Sequence, residues 1–408
     1  MRLAYLYSRY PVLSQTFCDT EMLELERRGV ELVIASMYPP KTPVRHEYLT
    51  RFRAAVQYAP EKPALEGLVR HAKRKGRWPE ALIARHDRKY GAEYKAALRA
   101  RNALFFVDLF ERERIGHFHV HFANRAAHTA LFVKAISGIP FSVTAHGQDF
   151  MTDLGNEELL HEILGTADFV AVETDYSRDL LRSRSPAAAA NIFRVYNGME
   201  LAKFNSTTAS PPPGPVQLLS VGRLVEFKGF DVLIDACVEL RHQRIAFACE
   251  IIGDGPLREE LQARIAEKDL ANIVKISGEQ SQDYVLKALA ACDIFVLAAL
   301  FDSRGASDVF PTVIAEAMAS ARAVVSTTVA GIPELIAENE TGLLVPPRDP
   351  HALAKALLQL IGDAALRVRL GRAGRKRMES HFRIEKTIEP LWDRLIASQL
   401  SVRRAPPI

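Results

Sequence analysis

Cysteine is scarce in this chain, four in 408 residues, and no two of them form a C-x-x-C pair. Cys18, Cys237, Cys249 and Cys292 also stand near no metal-ligand pattern. They read as buried free thiols of a reducing cytoplasm, not as a disulfide framework or a metal site. Long hydrophobic runs are missing too. No eighteen consecutive residues are apolar, so no membrane-spanning helix is expected. The opening Met1-Arg-Leu-Ala-Tyr-Leu-Tyr7 reads as a short strand and not as a signal peptide. Excess charge of one sign is small. The net charge of +4 is too weak to argue for nucleic acid as a partner. The first strand-to-helix turn, Tyr10-Pro-Val-Leu-Ser14-Gln15-Thr16, lacks the G-x-G-x-x-G of a dinucleotide oxidoreductase.

What is present is the composition of a soluble globular enzyme, 48% hydrophobic and 25% charged. The length exceeds one ordinary core and predicts two or three domains. Charge is uneven along the chain. Eleven Lys/Arg lie between Arg70 and Arg101, against Glu80, Asp87 and Glu93. This segment is either a solvated helical face or a surface turned toward anionic lipid or phosphate.

Strands and helices alternate in the first half. Strands are expected at Leu3–Tyr7, Glu31–Ser36, His119–Phe122, Phe141–Ala145, Phe169–Glu173 and Phe193–Tyr196, with helices at Thr16–Arg28 and Ala126–Ser137. Pro211-Pro-Pro-Gly-Pro215 is a stiff spacer. The alternation then restarts with strands near Gln217–Val221, Ala248–Ile252, Ile273–Ser277, Ile294–Leu297, Ala323–Thr327 and Gly342–Val345. The pattern predicts an α/β chain of two Rossmann-like, doubly wound domains facing a central cleft. The expected bounds are 1–205, a linker at 206–215, and 216–384, with a final helix at about 385–408 packing back on the first domain.

Ligands of such sheets bind at the carboxyl ends of strands, so the turns there carry the chemistry. Ser220-Val-Gly222-Arg223-Leu-Val-Glu-Phe-Lys228-Gly229 puts two cations beside a helix start. It reads as a phosphate or diphosphate site, or as two solvated loop cations. Gly253-Asp-Gly255 and Ser277-Gly278 end neighbouring strands, where glycine lets a ligand approach the backbone. In Asp308-Val309-Phe310-Pro311-Thr-Val-Ile-Ala-Glu316, Pro311 suits a first helical turn and Glu316 is the one charge on an apolar helix. A carboxylate there needs a dedicated polar partner, whether ligand or structural. In the first half, Thr144-Ala-His146-Gly-Gln-Asp149 places a histidine and an acid at a strand end. Ser14, Gln15 and Thr16 offer hydroxyl and amide groups at a helix start, suited to a hydroxyl-rich ligand or a phosphate. His117, His119 and His121 alternate and share one strand face, as a metal hydrolase or a sheet-edge cluster would have them.

Together these residues resemble the retaining glycosyltransferases of family 4, which have the GT-B fold. The resemblance runs over nearly the whole chain. It rests on Gly222-Arg223…Lys228-Gly229, Gly253-Asp-Gly255, the acid-x₇-Glu pair Asp308 and Glu316, and Asn197-Gly-Met-Glu200. Tyr10-Pro-Val-Leu-Ser-Gln-Thr-Phe17 and Thr144-Ala-His146-Gly-Gln-Asp149 are similar to members that build bacterial exopolysaccharide. The resemblance implies a nucleoside-diphosphate sugar donor and a glycan or lipid-linked glycan acceptor. It implies that Arg223 and Lys228 bind the diphosphate, Glu316 the ribose, and the Val309 and Phe310 amides the sugar hydroxyls. Gly253 and Gly278 would border the nucleotide, and Asp308 and His146 would stand at the reacting centre. Such enzymes need no metal or other cofactor as a rule, and D-x-D is absent. A cytoplasmic enzyme, brought to the inner membrane face by residues 70–101, is the expectation. A GT-B nucleotide-sugar epimerase and a binding protein without transfer are the alternatives. Two departures stand out: Asp308 replaces the usual Glu, and Ala321 and Ala323 replace the Gly-x-Pro after the helix.

Overall fold

The computed structural model describes residues 1–12, 15–41, 47–151, 156–204 and 214–404. Two compact units emerge: Met1–Glu173 with Ser177–Tyr196 and Ile388–Ile408, and Thr174–Tyr176 with Asn197–Thr387. The chain passes between units at Tyr196–Asn197, ahead of the expected boundary at 205. The reason is local bonding. Met199 N–H donates to the Phe382 carbonyl at 2.7 Å and Arg375 to the Phe204 carbonyl at 2.7 Å, tying residues 199–204 to the second unit. Residues 206–213 of the expected linker lie outside the described residues. Within the first unit, Arg28 bonds Glu389 at 2.9 Å and lies 5.6 Å from the Trp392 ring, so the final helix docks beside the helix Thr16–Arg27.

The first unit holds seven parallel strands: β1 Arg2–Arg9, β2 Glu31–Tyr38, β3 Val56–Tyr58, β4 Phe118–His121, β5 Phe141–Ala145, β6 Val170–Val172 and β7 Ile192–Arg194, in the order β3-β2-β1-β4-β5-β6-β7. Buried parallel strands read as near-continuous apolar runs, as Leu3–Tyr7 and Phe141–Ala145 do. The two faces nevertheless differ. Ala4, Leu6, Phe118, Val120, Phe141 and Val143 point into one apolar core. The opposite face carries Tyr5, Tyr7, His117, His119, His121, Ser142 and Thr144, because strand side chains alternate and the register pairs Tyr5 with His119 and His119 with Ser142. The histidines therefore sit on a central strand, which corrects the expectation of a sheet-edge cluster.

The second unit holds six parallel strands: β8 Val216–Val221, β9 Phe247–Ile252, β10 Val274–Ile276, β11 Ile294–Val296, β12 Ala323–Thr327 and β13 Leu343–Val345, in the order β10-β9-β8-β11-β12-β13. Both units are doubly wound. Strand order reverses between β1 and β4 in one and between β8 and β11 in the other, and ligand crevices of such sheets open at these points. No helix among the described residues is long and apolar enough to cross a membrane.

Candidate functional site

Each unit carries one polar constellation at the carboxyl ends of its central strands. In the second unit β8 runs into Gly222, whose N–H donates to the Ile252 carbonyl at 2.9 Å. The turn closes through a short 3₁₀ segment, Glu226–Lys228, and Gly229 at φ +64°. A Cβ at Gly229 would lie 1.9 Å from the Ala298 carbonyl, so only glycine lets the turn press against the end of β11. The Lys228 stem crosses Gly222, where a Cβ would meet its Cδ and Cε at 3.2 Å. Its ammonium reaches Asp308 Oδ2 at 2.7 Å, with both side chains largely buried. Arg223 is exposed and makes no ion pair among the described residues. The two cations thus differ: Lys228 is held in place by Asp308, and Arg223 stands open to solvent.

Asp308 opens a loop through buried Val309 and Phe310. The Val309 carbonyl packs so closely on Gly331 that a Cβ there would come within 2.2 Å. The Phe310 ring lies 5.9 Å from Phe382. The helix starts at Thr312, with Pro311 just outside it at ψ 101°. Ile314, Ala315, Ala317, Met318 and Ala319 are buried, whereas Thr312, Val313 and Glu316 form a half-buried stripe at helical spacing. The helix is therefore not wholly interior, and no described residue hydrogen-bonds the Glu316 carboxylate. Of the two partners the sequence allowed, ligand or structural, no structural one is found among the described residues. Burial pushes its pKa up to about 7, against the pull of nearby Lys203. At its C-terminus the helix ends in a Schellman-like turn, with Arg322 N–H bonded to the Ala317 carbonyl and Ala321 at φ +54°. Ala321 fills a glycine-type position at a cost of about 1 kcal/mol.

The raised Glu316 pKa has a signed consequence for stability. An acid that is harder to ionise folded than unfolded removes stability as pH rises from its ordinary value of 4.5 toward 7, and the loss persists above 7. Glu316→Gln should therefore melt like the parent near pH 4 and above it at pH 8, by on the order of 1–3 kcal/mol. Denaturation at both pH values checks this. A variant less stable than the parent at pH 8 would mean that the carboxylate is a structural acceptor.

Gly253 and Gly278 serve the turn itself. Gly253, at φ +146°, donates to the Gly278 carbonyl at 2.9 Å, and its missing Cβ leaves room for the Gly222 carbonyl, 1.9 Å from where it would stand.

In the first unit His146 follows β5, is 4% exposed, and has both ring nitrogens engaged. Nδ1 contacts Glu173 Oε1 at 2.8 Å and Nε2 contacts His121 Nδ1 at 3.0 Å. Burial opposes charging this ring, but Glu173, then Asp149 and Glu21, hold its pKa above the ordinary value. His121 Nε2 meets Glu21 Oε1 at 3.0 Å, and that oxygen also accepts from Tyr5 Oη at 2.6 Å. Burial would raise the Glu21 pKa, yet His121, His119 and Tyr5 outweigh it and hold it at about 2. His119 bonds the Ser142 and Thr144 hydroxyls, and burial pushes His117 and His119 down to about 3. Glu21, His119 and His121 lie close enough to share a cation, but every ring nitrogen of the two histidines is already hydrogen-bonded within the protein.

Asp149 is a brace. Its carboxylate accepts the N–H groups of Ala123 at 2.7 Å and His146 at 3.0 Å, which fastens the loop after β5 to the loop after β4, and burial pushes its pKa up to about 6. Thr16 begins the helix Thr16–Arg27, and the Phe17 ring lies 4.9 Å from His146. Gln15 Oε1 is buried without a partner among the described residues. Ser14 lies outside the described residues. The structure thus joins His146, Asp149 and the helix start in one unit, and Lys228 and Asp308 in the other. Glu21 and Glu173 went unremarked in the sequence as site residues, and His121 stood out there only as one of three alternating histidines. An acid ending the expected strand Phe169–Glu173, as His146 follows Phe141–Ala145, was the available signal.

Residues 204–377 match the family described as glycosyl transferases, group 1. Over 407 residues the chain is 29% identical to the amylovoran biosynthesis glycosyltransferase AmsK of Erwinia amylovora, covering 94% of this chain and 96% of that one. It is 26% identical to the putative colanic acid biosynthesis glycosyltransferase WcaL of Escherichia coli K12, covering 88% and 90%. The crystal structure of Anabaena Alr3699/HepE in complex with UDP-glucose superposes with a TM-score of 0.73 at 16% identity, covering 97% of this chain and all of that one.

Proposed function

We propose that this chain, which belongs to the group 1 glycosyltransferases and has the GT-B fold, moves a sugar from a nucleoside-diphosphate donor to a hydroxyl of a glycan or lipid-linked glycan. The anomeric configuration is retained and no metal ion is needed. The pathway is cell-surface polysaccharide biosynthesis, in keeping with the names of AmsK and WcaL.

The observation that carries the reading is the turn after β8, which bears Arg223 and Lys228 at the carboxyl end of a central strand, with Lys228 aimed by Asp308. Two cations, Lys228 held by Asp308 and Arg223 open to solvent, supply the positive charge that a departing diphosphate requires, the task a metal performs in other transferases. In this reading Glu316 accepts the ribose hydroxyls, the Val309 and Phe310 amides hold sugar hydroxyls, Asp308 lies against the donor sugar, and His146 serves the transfer through its charge. The enzyme is brought to its acceptor at the inner face of the membrane by the basic segment 70–101. Support comes from Arg70, Lys73, Arg74, Lys75 and Arg77, all exposed around the end of the helix Lys62–Arg74, beside an open hollow of about 330 Å³ lined by Arg70, Lys73, Trp78 and Arg101.

A panel of UDP- and GDP-sugars, incubated with a lipid-linked glycan in anionic vesicles, tests this. The expected outcome is one donor that raises the melting temperature and yields a product whose new linkage keeps the donor's anomeric form by NMR. Isomerised donor would indicate an epimerase, stabilisation without product a binding protein, and an inverted linkage would end the retaining assignment. Equal activity in neutral vesicles would remove the membrane contact.

A further inference from the structure

We propose that His121 is a positioning residue for His146, the two rings sharing a single proton across their Nδ1···Nε2 contact. Three consecutive contacts define the array: Glu21 to His121 at 3.0 Å, His121 to His146 at 3.0 Å, and His146 to Glu173 at 2.8 Å. Each needs one proton between its two heavy atoms. A carboxylate can only accept, so His121 must carry a proton on Nε2 for Glu21, and His146 must carry one on Nδ1 for Glu173. Both rings then face each other with one nitrogen each. One must donate and the other accept. Two protons there would repel, and none would leave two lone pairs in contact. The pair is thus one imidazole and one imidazolium, with a single positive charge set between two carboxylates.

The surroundings favour this state. Tyr5 gives its hydroxyl hydrogen to the Glu21 oxygen that faces His121, keeping that oxygen an acceptor. Tyr7 stacks on the His121 ring at 5.8 Å with 5° between planes, and Phe17 and Phe122 lie 4.9 and 4.3 Å from His146, so neither ring is free to turn. The other titratable groups around the pair are Cys18 on the helix Thr16–Arg27, His119 on β4 and Asp149 after His146. His119 is neutral and spends both nitrogens on hydroxyls, so it does not compete for the shared proton. The sharing holds one positive charge on the pair, because gaining or losing a proton breaks the central bond. It also explains how a ring with no nitrogen free can serve a reaction: it supplies a fixed charge at the carboxyl end of the sheet.

The test begins with the unaltered protein carrying ¹⁵N-histidine. The expected result is a scalar coupling between His121 Nδ1 and His146 Nε2, and ring shifts of both residues that move together as pH changes. Separate midpoints for the two rings, no coupling, or a stoichiometric metal ion found on His121 by elemental analysis would overturn the proposal. A second arm uses His121→Asn, which keeps a polar group near Nδ1 but cannot titrate. His146 should then titrate alone, its midpoint displaced by about one pH unit or more, and the pH profile of transfer should gain the same ionisation. An unchanged His146 midpoint in a folded variant would also refute the sharing. Only the pH-profile arm rests on the transferase reading. If no donor supports transfer, the NMR result still decides the proton arrangement.

Discussion

Lys228→Ala and Arg223→Ala should each lower sugar transfer by about 10²–10³-fold, equivalent to roughly 2.7–4 kcal/mol of lost transition-state stabilisation. The charge that develops as a glycosidic bond to a diphosphate breaks must be met by groups already in place. These two cations flank the turn at the switch point of the second sheet. Their different settings separate the variants in other respects. Arg223 is exposed and unpaired among the described residues, so Arg223→Ala should leave the melting temperature nearly unchanged, as surface substitutions usually do. Lys228 is ion-paired with Asp308 at 2.7 Å with both side chains largely buried. Its removal strands a carboxylate and should also lower stability. The combination Lys228→Ala with Asp308→Asn removes both charges and should recover stability while activity stays lost. Near-normal turnover in both single variants would end the diphosphate assignment.

Much of the frame was legible because its signals are local. Strands such as Leu3–Tyr7 and Ala323–Thr327 are short apolar runs bounded by turn residues, and every strand expected in the sequence recurs within a few residues of its predicted span. The helix Thr312–Ala319 followed from an apolar stretch after Pro311. The edge strand Val56–Tyr58 did not stand out, since three residues leave too little pattern. Between positions 62 and 112 the basic residues pointed to a helical face at most, and the individual helices Lys62–Arg74, Glu80–Tyr90 and Ala96–Arg112, with Leu65, Ile83 and Phe106 among their buried residues, were not delimited by that charge pattern.

Site chemistry was legible only residue by residue. That His117, His119 and His121 share a face follows from strand alternation. That this face meets Ser142, Thr144 and Glu21 depends on the register of β4 against β5 and on the docking of a helix, neither of which is written in any one segment. The pairing of Lys228 with Asp308 is likewise a product of folding. The sequence offered a cation for phosphate and an acid for the sugar, and the structure joins them. Glu316 shows the converse. Its apolar neighbours called for a polar partner, ligand or structural, yet the stripe of Thr312, Val313 and Glu316 is half-buried, no described residue hydrogen-bonds the carboxylate, and burial raises its pKa against the pull of Lys203.

Asp308→Asn should lower kcat by about 10²–10³-fold without raising KM for the donor. The negative charge of Asp308 has two uses. It aims the Lys228 ammonium, and in the proposed reading it stands where positive charge develops on the sugar during transfer, a charge shared by the oxocarbenium-like transition states of glycosyl chemistry. Before the donor binds, Asp308 also competes with the diphosphate for Lys228, so the neutral amide releases the lysine and donor binding should hold or improve. That split between kcat and KM distinguishes a group acting in the transition state from one that only binds substrate. Asp308→Glu is the sharper variant. It retains the charge and the ion pair, but an extra methylene must be fitted into a site where the acid already meets Lys228 at 2.7 Å. The Glu variant should therefore lose less rate than the Asn variant and show an altered preference among donor sugars, since the carboxylate moves relative to the bound sugar. Kinetics on the cognate donor and one epimeric sugar measure both effects. Equal rates and equal donor preference for Asp, Asn and Glu would take position 308 out of the reaction and leave it as the anchor of Lys228 alone.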